Sequence, residues 1–247
     1  MRLAARLMTI LALLAPVSAE ARGALPPGFV YLRDIDPSIA QDMRYAGIDN
    51  FTGRRLPGYA APECVLRSDA ALALKRVQTD LARQNLSLKT YDCYRPIRAV
   101  AAMARWSQNG DATTKRFYPE LEKRTLFAYG YIAAQSVHST GTAIDLTLIA
   151  RNAPPLPYDP SVRYGACTAP AAARAPDNSL DMGTGFDCFD PRSYTASGAI
   201  APEQKRARAA LLAAMHAHGF RNYFREWWHF TYGPRPAQAY DVPIAPR

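Results

Sequence analysis

Two short segments of this 247-residue chain hold the residue types that bind a metal ion and activate water. The first, residues 136–145, carries Ser136, His138, Gly141 and Asp145; the second, residues 226–229, carries Glu226, two tryptophans and His229. A catalytic zinc takes three protein ligands from His, Asp or Glu, keeps a fourth position open for water, and works with a general base beside that water. His138, Asp145 and His229 supply the three ligands, and Glu226, three residues before His229, supplies the base. Gly141 lies between His138 and Asp145 and permits a bend that turns both side chains toward one ion.

Each segment alone has an ordinary reading. A His and an Asp near a glycine commonly form a hydrogen-bonded loop pair, and a Trp-Trp run commonly belongs to a core strand. With only 4 histidines in the chain, two falling inside such segments favours the metal. The others, His216 and His218, are two apart on a helical pattern, so they face different directions and read as helix-terminal charges or surface groups. A third segment, residues 91–96, sets Arg95 between a strand pattern and Pro96. That junction can aim a guanidinium at a carboxylate or a developing oxyanion, although a lone Arg is by default a surface ion pair.

The elements that must position these groups follow from periodicity. Ala70, Ala73, Leu74, Val77 and Leu81 recur at helical spacing behind Ser68, which reads as the N-cap. Residues 86–94 predict a strand, and Pro96 opens a helix with Val100, Met103 and Trp106 facing the core. Residues 131–149 read as strand, glycine turn and strand. Pro202 starts a last helix over residues 203–218 with Gly219 as its left-handed cap, and residues 220–232 are strand-like. Residues 31–59 read as loops and short strands. Residues 151–181, with six prolines and Cys167, read as a long surface insertion stapled by its cysteine. The expected fold is one α+β domain, a small and mostly antiparallel sheet flanked by helices, with the zinc site on the sheet.

Residues 1–19 carry Arg2 and Arg6, an apolar run over 7–15 and small residues up to Ala19, the order of a secretory signal peptide cleaved after Ala19. No cysteine follows for a lipid anchor, residues 20–28 read as a loose leader, and no later run suits a membrane span. Cleavage leaves a domain over residues 20–247 and removes two of the 30 basic residues, so the net charge falls from +9 to +7. The basic residues are scattered, which suits a polyanionic envelope and argues against nucleic acid. Export to the periplasm or beyond favours two disulfides among Cys64, Cys93, Cys167 and Cys188. Three connectivities are open. Pairing Cys64 with Cys93 and Cys167 with Cys188 closes the shortest loops.

Taken in order, these segments resemble the VanX-type D-alanyl-D-alanine dipeptidases of the D-Ala-D-Ala peptidase superfamily. The likeness runs from about Asp42 to Tyr232 and includes residues 42–46, 50–53, 91–96, 136–147 and 226–229. It implies one Zn2+ per chain on His138, Asp145 and His229, Glu226 as general base and Arg95 as stabiliser of the transition state. It also implies a small D,D-dipeptide substrate whose amine is received by Asp187 and Tyr131, with Ser136 lining the same pocket. The signal peptide, the insertion and the cysteines depart from the cytoplasmic members. Alternatives are a D,D-carboxypeptidase acting on peptidoglycan stems with the same zinc set, and a non-catalytic zinc or wall-binding module, against which Glu226 and Arg95 argue. The oligomeric state is not legible in the sequence.

Overall fold

The computed structural model describes residues 25–234 and 238–247, so the leader read at residues 1–19 lies outside the described residues. Short elements open the chain: β1 (Phe29–Tyr31), α1 (Leu32–Ile35), β2 (Ala40–Gln41) and β3 (Val65–Arg67). The main frame follows as α2 (Ser68–Ala82), β4 (Leu86–Asp92), α3 (Ile97–Ser107), β5 (Ala143–Ala150), α4 (Pro202–His216), β6 (Phe220–Asn222) and β7 (His229–Tyr232). Five strands form one sheet in the order β2-β4-β5-β7-β6, antiparallel except for the β2–β4 pair, while β1 and β3 make a separate antiparallel ribbon. The α+β expectation holds. Among the described residues no helix is long and apolar enough to cross a membrane.

The central strand β5 is buried from Ala143 to Ile149, which its run of Ile144, Leu146 and Leu148 dictates. Helix α2 buries Ala70, Ala73, Leu74, Val77 and Leu81 at the expected spacing, and Gln78 fastens it to β4 by accepting from Leu88 N–H at 2.9 Å and donating to Ser87 Oγ at 2.8 Å. Ser68 is not its cap. Strand β3 runs straight into the helix, Arg67 takes the N-cap position in extended conformation, and the Ser68 N–H donates to the Gly28 carbonyl at 2.8 Å. That bond, and Phe29 N–H on Pro26 O, tie residues 26–28 down where a loose leader is expected.

Three other boundaries differ. In residues 131–149 only the second half is a strand; the first ends in a 3-10 turn over Val137–Thr140, because the Ser136 hydroxyl accepts the His138 N–H and Gly141 at φ +77° reverses the chain. Helix α4 ends at His216, since His218 turns away to Asp80 on α2 at 2.8 Å and Gly219, at φ +89°, sends the chain into β6. Residues 220–232 form a hairpin, with Glu226 in the connection between β6 and β7. Both disulfides pair as the shortest loops require, Cys64 with Cys93 and Cys167 with Cys188.

The proline-rich excursion returns to the body of the fold at Asp177. Its carboxylate accepts from Lys89 at 2.6 Å, Tyr91 OH at 2.7 Å, Arg44 at 2.9 Å and the Ser179 N–H at 2.8 Å. Burial opposes ionisation, but Arg44 and Lys89 outweigh it and hold the Asp177 carboxyl down at about 2. A depressed folded-state value contributes stability that is present above the ordinary carboxylate range and lost as pH falls through about 2. Asp177→Ala is expected to lower the unfolding free energy by about 2 kcal/mol at neutral pH, because Lys89 and Arg44 each lose a charged hydrogen bond while Arg44 keeps Asp42 and Asp49. Urea unfolding at pH 7 and near pH 2 checks this, and the gap between wild type and variant closes at the acid end.

Candidate metal centre and cleft

The 3-10 turn and two adjacent strands deliver the sequence-predicted ligands to one point. Asp145 on β5 pairs directly with His229 on β7 and, across the other edge, with Asp92 at the end of β4, so three functional side chains stand in one row across the sheet. His138 arrives from the turn. His138 Nε2, His229 Nδ1 and Asp145 Oδ1 lie 3.1, 3.0 and 3.3 Å from one another. Tetrahedral zinc with bonds of about 2.0–2.1 Å separates its ligand atoms by roughly 3.3 Å, so the triangle is already of metal-binding size.

The tautomers fit as well. His138 Nδ1 lies 2.7 Å from the Cys93 carbonyl, an acceptor only, so Nδ1 carries the proton and Nε2 presents its lone pair to the cluster. With the carboxylate also an acceptor, three lone-pair donors converge with at most one proton among them in the neutral imidazole state, and a cation resolves that arrangement. Burial acts to raise the Asp145 carboxyl, but the charge and hydrogen bonds of His138 and His229 outweigh it and hold the acid well below the carboxylate range. Burial likewise acts to lower His229, yet its hydrogen bond to Asp145 raises it.

Glu226 sits in the hairpin connection with its side chain 15% exposed and Oε2 3.8 Å from His229 Nδ1. Its carbonyl accepts from Asn222 Nδ2 at 3.0 Å and from the His229 N–H at 3.2 Å, which fixes the bend. Burial raises the Glu226 carboxyl to about 7, with His229 opposing, before the field of any bound cation is added. The tryptophans between Glu226 and His229 are core, as the ordinary reading of that run has it. Trp227 donates to Thr184 Oγ1 at 2.9 Å, and Trp228 packs edge-on to Phe186.

Arg95 is held along one edge of its guanidinium. Its Nε and Nη2 donate to Asp92 Oδ2 at 2.9 and 2.8 Å, and Nη2 stands 3.6 Å from Asp145 Oδ2. Its guanidinium lies over the Tyr45 ring, 5.0 Å from the centroid. Asp92, with no exposure, also accepts Tyr59 OH at 2.6 Å. Arg95 is therefore no surface ion pair.

The cleft beside the triangle is a cavity of about 250 Å³ lined by Tyr45, Arg95, Tyr131, Ser136, Asp187 and Glu226 as well as the three ligands. It is smaller than the range typical of drug-sized ligands. Asp187 is 5% exposed and accepts Tyr45 OH at 2.8 Å. Burial, reinforced by the charge of Asp145, raises its carboxyl well above the usual range. Tyr131 contributes wall, stacked on Phe189 with centroids 5.2 Å apart. Ser136 caps the metal-site turn through its 3.2 Å bond from the His138 N–H. Every site residue marked in the sequence thus borders one cavity.

Two residues that sequence reasoning gave no role complete the site. Asp92 holds Arg95, and Tyr45 holds Asp187 across 142 positions of sequence. Both lie inside segments already conspicuous, residues 91–96 and 42–46; an acid three before Arg95 and a tyrosine beside Arg44 were the available signals.

The chain matches the family model Peptidase_M15, described as D-ala-D-ala dipeptidase, over residues 26–155 and 168–245. It is 35% identical over 221 residues to a D-alanyl-D-alanine dipeptidase of Streptomyces coelicolor, covering 88% of this chain and 98% of that protein. A D-alanyl-D-alanine dipeptidase of Enterococcus faecium is 31% identical over the same length and the same shares. A solved vancomycin-resistance D,D-dipeptidase, VanXYg, in complex with a D-Ala-D-Ala phosphinate analogue, aligns over 83% of this chain and 66% of its own at TM-score 0.34 and 17% identity.

Gly141 makes the turn possible: its φ is +77°, and a Cβ there would meet the ring of Phe29. Gly141→Ala is expected to cost about 2–3 kcal/mol of stability and to weaken metal binding together with it. Denaturant unfolding and a metal titration on the same preparation check both.

Proposed function

The chain belongs to the Peptidase_M15 D-ala-D-ala dipeptidase family, a zinc metallopeptidase family, and on that premise we propose that it is an exported one-zinc enzyme hydrolysing D-Ala-D-Ala to two D-alanines. The observation that carries this reading is the convergence of three acceptor atoms within 4.8 Å of one another on a small cavity that also holds Glu226, Arg95 and Asp187. His138, Asp145 and His229 would hold the ion. When bound, zinc polarises the scissile carbonyl and makes water acidic enough to attack near neutral pH.

Glu226, beside the triangle, takes the proton of the attacking water and returns it to the leaving amine. Arg95, fixed by Asp92, points its remaining donors at the oxygen that becomes negative as the carbonyl turns tetrahedral. Asp187 receives the substrate ammonium, with Tyr131 and Ser136 lining the same space. A buried carboxylate there selects free dipeptides, since an acylated stem peptide would leave it without its cation. Export is supported by the N-terminal pattern and by two disulfides, which belong to oxidising compartments. An enzyme placed there acts on dipeptide released from the wall rather than on cytoplasmic precursor, so salvage fits better than glycopeptide resistance.

The mature protein is expected to carry one zinc per chain by metal analysis. Glu226→Ala should keep that zinc and lose at least about 10²-fold in kcat, while His138→Ala should lose the zinc itself. Near-normal turnover by Glu226→Ala would sink the mechanism. On substrates, free D-Ala-D-Ala should be turned over faster than a muropeptide pentapeptide; the reverse order would make the protein a D,D-carboxypeptidase.

A further inference from the structure

The reaction outlined above gives no role to the two disulfides, yet each joins through the backbone to a different part of the cleft. The Cys93 carbonyl is the acceptor that orients His138, at 2.7 Å from its Nδ1. Two more bonds zip the same stretches together: the Arg95 N–H donates to the His138 carbonyl at 3.2 Å, and the Ser139 hydroxyl donates to the Arg95 carbonyl at 2.8 Å. Strand β4 has a register shift at Tyr91 and ends at Asp92, so the sheet ladder stops one residue before Cys93. The bridge compensates by tying Cys93 to Cys64, which is itself fixed by its N–H on Gln41 Oε1 and its carbonyl on the Leu32 N–H, each at 2.9 Å. Both cysteines have no exposure.

The second bridge serves the opposite wall. Asp187 has φ +55°, a left-handed conformation that Asp enters more readily than most non-glycine residues but that remains uncommon. Cys188 follows it directly, with its carbonyl accepting the Ser193 hydroxyl at 2.6 Å and its sulfur bonded to Cys167. Cys167 accepts the Gly185 N–H at 2.8 Å, so the turn carrying Asp187 is clamped on both sides. Cys167 also lies in residues 156–167, the stretch that the family match leaves out. The insertion therefore contributes the partner that braces Asp187.

We propose that the two disulfides are separable positioning elements: Cys64–Cys93 fixes the carbonyl that orients the metal ligand His138, and Cys167–Cys188 fixes the turn that presents Asp187 to the substrate amine. The proposal rests on the dipeptidase reading. Removing an outer partner of a metal-bound histidine typically weakens metal binding about 10- to 100-fold, whereas displacing a substrate-positioning group acts on substrate.

The test uses the mature protein and two double variants, Cys64→Ala/Cys93→Ala and Cys167→Ala/Cys188→Ala. Zinc affinity is read by competition with a chromophoric chelator, which needs no turnover, and KM and kcat for D-Ala-D-Ala are read on zinc-saturated protein. The first variant should bind zinc about 10- to 100-fold more weakly with KM little changed; the second should keep wild-type zinc affinity and raise KM about tenfold. Equal effects of both variants on both quantities, or no effect of either, would overturn the proposal. Should a pair unfold, Cys64→Val/Cys93→Ala or Cys167→Ala/Cys188→Val refills the space. Unfolding of the refilled version as well also overturns it, because the bridge would then be holding the core rather than the site. Wild-type protein that binds zinc but releases no D-alanine overturns the activity and with it the Asp187 half, while chelator competition still decides the His138 half.

Discussion

Four carboxylates, those of Asp92, Asp145, Asp187 and Glu226, are gathered around one cleft against a single guanidinium, that of Arg95. So much negative charge in a poorly solvated space is unfavourable unless each acid is given its own partner. The fold assigns them one by one: Arg95 and Tyr59 to Asp92, two imidazoles to Asp145, and Tyr45 to Asp187. Glu226 is left with only an imidazole 3.8 Å away, and burial raises its proton affinity, as it does that of Asp187. The divalent cation and the ammonium of the proposed reaction would each offset part of this negative charge.

The scaffold meets this constraint by placing rigid elements behind every charged group. Asp92, Asp145 and His229 come from three neighbouring strands, and the strand between them is buried along almost its whole length. Aromatic rings fill the space behind: Phe186 stacks on Tyr91 and meets Trp228, and Phe51 meets Trp106 and Phe189. Close packing of this kind leaves the charged side chains few alternative rotamers, so the geometry is set before any ligand arrives.

Legibility in the sequence divided along local and non-local lines. Helix α2, the helix after Pro96 and the buried run of β5 are local patterns of apolar spacing, and they stand where the periodicity puts them. The candidate set was readable because zinc chemistry restricts residue type so severely that the proposed ligands His138, Asp145 and His229, and the proposed base Glu226, stand out in a chain with few histidines. The first half of residues 131–149 misled, because Ser136 and Gly141 form a cap and a reversal that composition does not separate from a strand turn. Partnerships such as Tyr45 with Asp187, or Asp177 with Arg44 and Lys89, join distant positions, and no spacing rule announces them. The proline-rich stretch likewise reads as surface, while its Asp177 is an anchor.

The row formed by Asp92, Asp145 and His229 has a consequence for how the chain reaches its native state. Side chains along a strand alternate between faces, so a slip of one residue between β5 and β7 would send Asp145 and His229 to opposite sides of the sheet. Apolar burial opposes such a slip, because Ile144, Leu146 and Leu148 share one face of β5 while Asp145 and Thr147 lie on the other. The convergence of His138, Asp145 and His229 opposes it as well, since their ligand atoms meet only in this register. A single-residue insertion or deletion in β5 would therefore displace the apolar face and the row of Asp145 and His229 together.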